Sequence, residues 1–364
     1  MAHRAGLTAR AAGSGRAGLE QRLLRRLRAL ALPPGATILV GFSGGPDSLA
    51  LAAALAAIAP IAQIRPAALH MDHGLRPDSA EEQERAAELA DTVGLPFHGV
   101  AVLPEALARH IGVGIEEAAR RERYLALARA ADELGASVIA LAHHRDDQAE
   151  TVLLHLLRGA GLHGAAAMAE RSTLTVPWWE GASEPRRTIG LWRPFLAESR
   201  ALLRTYVAAL DLTPILDRTN EELTFRRNRI RHEMLPRLEQ WHPGATAALG
   251  RYAVLAAAED AYLNDLARAA LASTLTDGGA LSIAALHHQA LPLQRRIVRQ
   301  WVATQAGLAE LTADRADAII ALTARAQPGR QIEIGAGWIV RHAGDRLQLG
   351  RPDEGQAGDQ ADDS

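Results

Sequence analysis

The sequence predicts an α/β protein: a parallel-sheet domain, then a mostly helical C-terminal domain with a small terminal sheet. Three observations carry this. Apolar runs of strand length alternate with alanine-rich helical segments through the first half. The turn after the first run, Ser43-Gly44-Gly45-Pro46-Asp47-Ser48, has the composition of a strand-to-helix turn that receives phosphate. Near the end, RQIEIGAGWIVRHAGDRLQLG alternates as two or three strands joined by Gly-containing turns do.

Ile38-Leu39-Val40 is the first strand and Leu49 to Leu55 the helix after the turn. Such a turn leaves free N–H groups at a helix start, where the helix dipole also favours anions. The competing reading is an ordinary turn capped by Asp47 or Ser48. The turn is neither a Walker sequence, which needs a Lys beside its final Ser or Thr, nor a GxGxxG. All 40 basic residues of the chain are arginine. Pro66 to Met71 is the second strand, and Ser79 to Val93 a helix with Glu81, Glu82, Glu84 and Glu88 at its start or outer face. Phe97 to Val102 is the third strand. Ile115 to Leu134 is a helix with Tyr124, Leu125 and Leu127 among its apolar positions. Ser137 to Ala142 is the fourth strand, and Asp146 to Leu157 a helix offering Val152, Leu153, Leu156 and Leu157 to the core.

Helical crossovers of this length imply a parallel sheet, whose ligands sit at the carboxyl ends of its strands. The second strand runs into HMDHGLRPDSAEEQ. The fourth runs into His143-His144-Arg145-Asp146-Asp147, with Glu150 one turn on. Histidines and carboxylates are metal ligands. The plainer reading has Asp146 capping the helix and the rest solvated. Sharing a crevice with a phosphate turn favours phosphate-linked chemistry.

LTVPWWEGASEPRRTIGLW reads as a hairpin with a mobile tip at Gly181 to Pro185. Beyond it, Arg226, Arg227, Arg229 and Arg231 surround Asn228 and Ile230, with Phe225 and Arg237 nearby: five arginines in twelve residues. A solvated helix face competes with RNA contact, which guanidinium groups make by gripping phosphates and stacking on bases. Helical patterns follow over Tyr252–Leu271, Leu291–Gln305 and Ala313–Ala326. The domain reading is a flexible leader at 1–18, a sheet-bearing domain at 19–218, a mostly helical domain at 219–350 and a disordered tail at 351–364. With 364 residues, 48% hydrophobic, and a net charge of −2, any nucleic-acid partner must be met by a local patch. The absence of cysteine excludes disulfides, thiolate metal sites and catalytic thiols. No apolar run is long enough to span a membrane, and a cytoplasmic protein is expected.

The turn at Ser43–Ser48 is similar to the SGGxDS signature of the N-type ATP pyrophosphatases, an adenine nucleotide alpha hydrolase-like group. MDHGLRPDS, EEAARRERY, AHHRDDQAET, LLRGAGLHG, WRPFL and LDRTNEELTFRRNRIRHEMLP resemble, in order, segments of the tRNA(Ile)-lysidine synthetase family. The resemblance spans residues 39 to 236. It implies a carbon–nitrogen ligase that joins free L-lysine to C2 of cytidine 34 in the CAU anticodon of tRNA(Ile). ATP first adenylates the base; AMP and pyrophosphate leave, and the resulting lysidine changes decoding from AUG to AUA. It implies ATP binding by Ser43, Gly44, Gly45, Pro46, Asp47, Ser48, Met71 and His73, with magnesium held by Asp47 through the phosphates and no protein-bound zinc or iron–sulfur cluster. Asp147 would be the general base, oriented by His143, and Asp147 with Glu150 would hold the lysine. Arg120 and Arg123 would stabilise charge on the reacting base, and Arg226, Arg227, Asn228, Arg229 and Arg231 would bind tRNA. The oligomeric state stays open, a homodimer being one option. The alternatives are another tRNA-modifying or amidating ligase of the same ATP chemistry, or a non-catalytic RNA-binding protein. The presence of Asp47, Ser48 and Asp147 argues against the last.

Overall fold

The computed structural model describes residues 16–72, 79–102, 104–179, 182, 185–215, 226–307, 311–323 and 329–352. They form two compact units, Met1–Ala257 and Ala258–Ser364.

The first unit is built on a six-stranded sheet in the order β3-β2-β1-β4-β6-β5. β1 (Thr37–Gly41), β2 (Arg65–Asp72), β3 (Phe97–Ala101) and β4 (Ala136–Ala140) pair in parallel, as the alternation predicts. β6 (Arg187–Trp192) continues the parallel set beside β4, and β5 (Arg171–Val176) closes the edge antiparallel to β6. The expected hairpin is therefore part of the sheet; residues 181, 183 and 184 of its tip lie outside the described residues. β1 is central, and Ile38, Leu39 and Val40 are fully buried, which is why it reads as an unbroken apolar run.

Helix α2 (Pro46–Ala62) packs Leu49, Leu51 and Leu55 into the main core. Each such burial contributes roughly 1.5–3 kcal/mol. Helix α1, residues 16–28, adds Leu19, Leu23 and Leu27 to the same core at a four-residue spacing. Residues 16–18 are thus helical rather than part of a leader; the remainder of that expected leader is not described. α1 also ties down the region after β6. Arg22 forks onto Glu198 at 2.8 and 2.9 Å, and Tyr206 donates to Glu20 at 2.8 Å. α3 (Ser79–Thr92), α4 (Pro104–Ala108) and α5 (Ile115–Glu133) occupy the crossovers, α5 burying Tyr124, Leu125 and Leu127.

Helix α6 (Arg145–Leu156) follows β4, α7 (Leu162–Ala165) precedes the hairpin, and α8 (Arg200–Ala208) follows it. Burial of α6 is concentrated in its first half. Val152 is buried, whereas Leu156 and Leu157 are exposed, contrary to the reading of both as core. The Arg-rich segment forms α9 (Arg226–Arg229), a π-helical turn Ile230–Met234, and α10 (Leu235–Trp241). Ile230 and Leu235 pack on Ala149 of α6. That packing makes the segment part of the first unit, so the division falls at Ala257/Ala258, within helix α11 (Ala245–Thr274), and not at the expected 218/219.

In the second unit α12 (Ile283–His287), α13 (Leu291–Ala306) and α14 (Ala313–Thr323) enclose a core with Trp301 at its centre, whose Nε1–H donates to Gly279 O at 2.8 Å. The antiparallel sheet β7-β10-β9-β8 (Leu281–Ser282, Arg346–Gly350, Trp338–Ala343, Gln331–Gly335) closes it. This matches the small sheet read from RQIEIGAGWIVRHAGDRLQLG.

Candidate active site

The parallel strands β1, β2, β4 and β6 present their carboxyl ends on one edge, and the chemically loaded residues stand there. After β1 the chain turns at Gly44, whose φ of +72° suits glycine; a Cβ would also meet Ile215 Cδ1 at 2.5 Å. Ile215 N–H donates to Gly44 O at 2.9 Å and pins the turn. Ser43 N–H donates to Ser48 Oγ at 3.2 Å, and Ser48 Oγ donates to Gly45 O at 3.1 Å. Gly45 is the N-cap of α2 and supplies no side-chain cap; Pro46 sits in the first turn. The ordinary capped turn is therefore not what forms. Neither Asp47 nor Ser48 caps the helix, and the helix start stays open to an anion. Asp47 is half-buried, and its Oδ1 is shut from solvent with no partner.

β4 delivers His143 and His144. His144, 1% exposed, is the N-cap of α6 in a reciprocal capping box: its Nδ1 accepts Asp147 N–H at 3.3 Å, and Asp147 Oδ2 accepts His144 N–H at 2.9 Å. Its Nε2 lies 3.4 Å from Asp47 Oδ2. Burial pushes the His144 pKa down, but the hydrogen bond to Asp47 and the charges of Asp147, Asp47 and Asp146 outweigh it and raise it overall. Of the two histidines it is His144 that hydrogen-bonds Asp147, where His143 was expected to orient it. His143 is half-buried with Nδ1 enclosed and unpartnered. Burial, opposed by Asp147 but aided by Arg193, Arg227 and Arg123, lowers its pKa to about 3, so its ring is neutral. Asp146 accepts Arg200 N–H at 3.1 Å at the start of α8, and Arg145 N–H donates to Glu198 O at 2.9 Å, so α6 and α8 brace each other's first turns.

Asp147 and Glu150 are both buried, and both are occupied by arginines. Arg231 reaches Glu150 Oε1 at 2.6 Å, Glu150 Oε2 at 3.0 Å and Asp147 Oδ1 at 3.0 Å. Arg227 reaches Glu150 Oε2 at 2.8 Å and Asp147 Oδ1 at 3.3 Å. A carboxylate as buried as Glu150 requires such pairing. Burial pushes the Asp147 pKa up, but the charges of His144 and Arg227 and the His144 N–H outweigh it and hold it below the ordinary carboxylate value. The expected RNA patch is therefore divided. Arg227 and Arg231 turn inward, whereas Arg226 and Arg229 are exposed, Arg229 standing 3.8 Å from Glu233; Asn228 lies half-buried between.

Arg120 and Arg123 are exposed on α5, their guanidinium carbons 5.1 and 5.7 Å from the Tyr124 ring centre. Arg123 is one of the charges acting on His143. Met71 is the last residue but one of β2 and packs against the cluster of Val102, Ala106, Leu107 and Ala118; His73 lies outside the described residues, as does Phe225.

Residues 19–238 match the family model of the PP-loop domain, and residues 281–347 that of the TilS substrate binding domain. A tRNA(Ile)-lysidine synthase of Salinispora arenicola is 40% identical over 273 residues, covering 74% of this chain and 77% of that protein. The chain belongs to the tRNA(Ile)-lysidine synthase family. The relative from Geobacter sulfurreducens is 36% identical over 308 residues (83% of this chain, 62% of that protein), and the one from Xanthomonas axonopodis pv. citri 39% over 272 (75% and 58%). The chain thus spans about three fifths of the length of these two relatives. The U34-tRNA thiolase NcsA from Methanococcus maripaludis, described with its [4Fe-4S] cluster, shares the fold with a TM-score of 0.54 at 16% identity, over 67% of this chain and 80% of that one.

Within this tRNA(Ile)-lysidine synthase family member, three site residues escaped the residue-by-residue reading. His144 was seen only as part of a cluster. Arg193 was seen only as part of the WRPFL motif and Arg200 not at all, although both follow β6 at the same sheet edge. Arg193 is buried, donates to Ala169 O and Ser172 Oγ at 3.0 and 2.9 Å, and keeps Nε unpartnered. Arg200 Nε is likewise enclosed without a partner; burial and the charges of Arg231 and Arg204 lower its pKa against the pull of Asp47 and Asp147.

Proposed function

We propose that the protein is an ATP-dependent ligase that attaches free L-lysine to C2 of cytidine 34 in the CAU anticodon of tRNA(Ile), through an adenylated base. The observation that carries this reading is the meeting, at one sheet edge, of an open phosphate turn with a buried carboxylate pair already engaged by cations. ATP places its phosphates at the N-terminus of α2, over Ser43 to Ser48. The enclosed, partnerless Oδ1 of Asp47 fits a magnesium ion arriving with ATP, and that ion supplies charge neutralisation as pyrophosphate leaves. Asp147 and Glu150 suit a substrate ammonium because they bind guanidinium in its absence. Asp147 is the proposed general base; held low by its neighbours, it takes up that work only when the amine replaces an arginine beside it. Arg120 and Arg123, with Arg193 and Arg200, supply fixed positive charge for the adenylated base. Arg226 and Arg229 lead the contact with RNA phosphates. The domain from residue 19 onward does the chemistry, and the cytoplasm, where tRNA is modified, is its proposed location.

The test is release of AMP and pyrophosphate from ATP by the full chain, with the unmodified tRNA(Ile) transcript, with and without lysine. Lysine- and tRNA-dependent AMP formation is expected. Turnover with ammonia or a sulfur donor in place of lysine would move the chain to an amidating or thiolating class.

A further inference from the structure

His144 touches both halves of the site. Capping α6 engages its Nδ1 at 3.3 Å from Asp147 N. Its Nε2, 3.4 Å from Asp47 Oδ2, faces the phosphate turn, so one buried imidazole bridges α6 and the start of α2. The other acidic groups facing the ring are Asp146 Oδ2 at 3.8 Å and Asp147 Oδ2 at 3.3 Å, both on the Nδ1 side. Capping alone does not call for histidine: Asn, Asp, Ser and Thr are the favoured N-caps. What histidine adds is the second nitrogen. A buried ring nitrogen without a partner is costly, and the partner here is Asp47. Because His144 faces Oδ2, the oxygen left enclosed and free is Oδ1.

We infer that His144 is a positioning residue: its Nε2 orients the Asp47 carboxylate, presenting Oδ1 to the Mg-ATP, and holds the phosphate turn in register with the helix bearing Asp147 and Glu150. This rests on the proposed roles of Asp47 and Asp147. Two substitutions separate the link from the cap. In His144→Asn the amide falls at the level of Nδ1, so the cap is kept and the reach to Asp47 is lost. In His144→Gln the amide extends to the level of Nε2, so the reach is kept in a residue that is a poor cap. The measurements on the full chain are the Tm without ligand, the rise in Tm on adding Mg-ATP, and kcat/KM for ATP in tRNA-dependent pyrophosphate release. His144→Asn is expected to keep a near-normal Tm but to lose most of the Mg-ATP shift and about tenfold in kcat/KM, the loss of one hydrogen bond to a charged group. His144→Gln is expected to melt earlier yet retain more of the ATP response than His144→Asn. If the ATP response follows Tm through the two variants, or if His144→Asn responds as wild type does, His144 is only a cap and the inference is overturned. A wild-type protein with neither Mg-ATP stabilisation nor pyrophosphate release would overturn the functional reading, and this inference with it.

Discussion

Arg231 shows how a single side chain can answer to two demands. Its guanidinium contacts three carboxylate oxygens of Glu150 and Asp147, and their charges raise its pKa despite burial. Removing one member of a buried ion pair leaves an uncompensated charge, which costs about 3–5 kcal/mol. Arg231→Ala is therefore expected to lower stability by an amount in that range, measured by urea unfolding, before any effect on RNA is considered. Arg227 still reaches both carboxylates, so the loss should fall at the lower end. A substitution tolerated without loss of stability would mean that Arg227 alone, or another partner, suffices for Glu150. Sequence reading counted these arginines correctly but aimed them outward. The spacing of 227 and 231 places both on one helical face, yet their partners lie 77 to 84 residues earlier. No local pattern reveals pairing over that distance.

The elements were far more legible than the pairings. The four parallel strands β1 to β4 and the helices between them follow from the alternation of apolar runs, because both faces of a central strand such as β1 must be buried. The phosphate turn was legible too, since Gly44 and Pro46 each mark a backbone requirement. The π-helical turn Ile230–Met234 was not: it widens the helix by one residue, closing on a Leu235 N–H to Ile230 O hydrogen bond, while Ile230 and Leu235 both pack with Ala149. Arg227 and Arg231 turn inward to the carboxylates there, and Arg226 and Arg229 stay exposed. Changing Arg226 and Arg229 together to Ala should weaken tRNA binding and reduce the slope of log affinity against log salt by about one unit per lost phosphate contact. Stability should hardly change, because both residues are exposed and outside the carboxylate network. Titration of tRNA at several salt concentrations measures this, and an unaltered slope would remove the segment from the RNA interface.

At the scale of the molecule, sequence and packing place the end of the first unit differently. A boundary at 218/219 looks natural from sequence, because the Arg-rich segment begins soon after and reads as the start of an RNA-binding domain. The packing argues otherwise. α9, the π-helical turn and α10 cover the buried half of α6, supply both cations of Asp147 and Glu150, and fall inside the first unit, which ends at Ala257. Ending the chain at residue 218 would strip Ala149 of its apolar cover and leave two buried carboxylates without their arginines. Ending it at Ala257 keeps that layer. The chain ending at 257 is therefore expected to unfold cooperatively in urea and to be stabilised by Mg-ATP. The chain ending at 218 should unfold at lower urea with a broadened transition, or fail to fold. Equal midpoints for the two would show that α6 does not need this cover, and would restore the earlier boundary together with an outward role for Arg227 and Arg231.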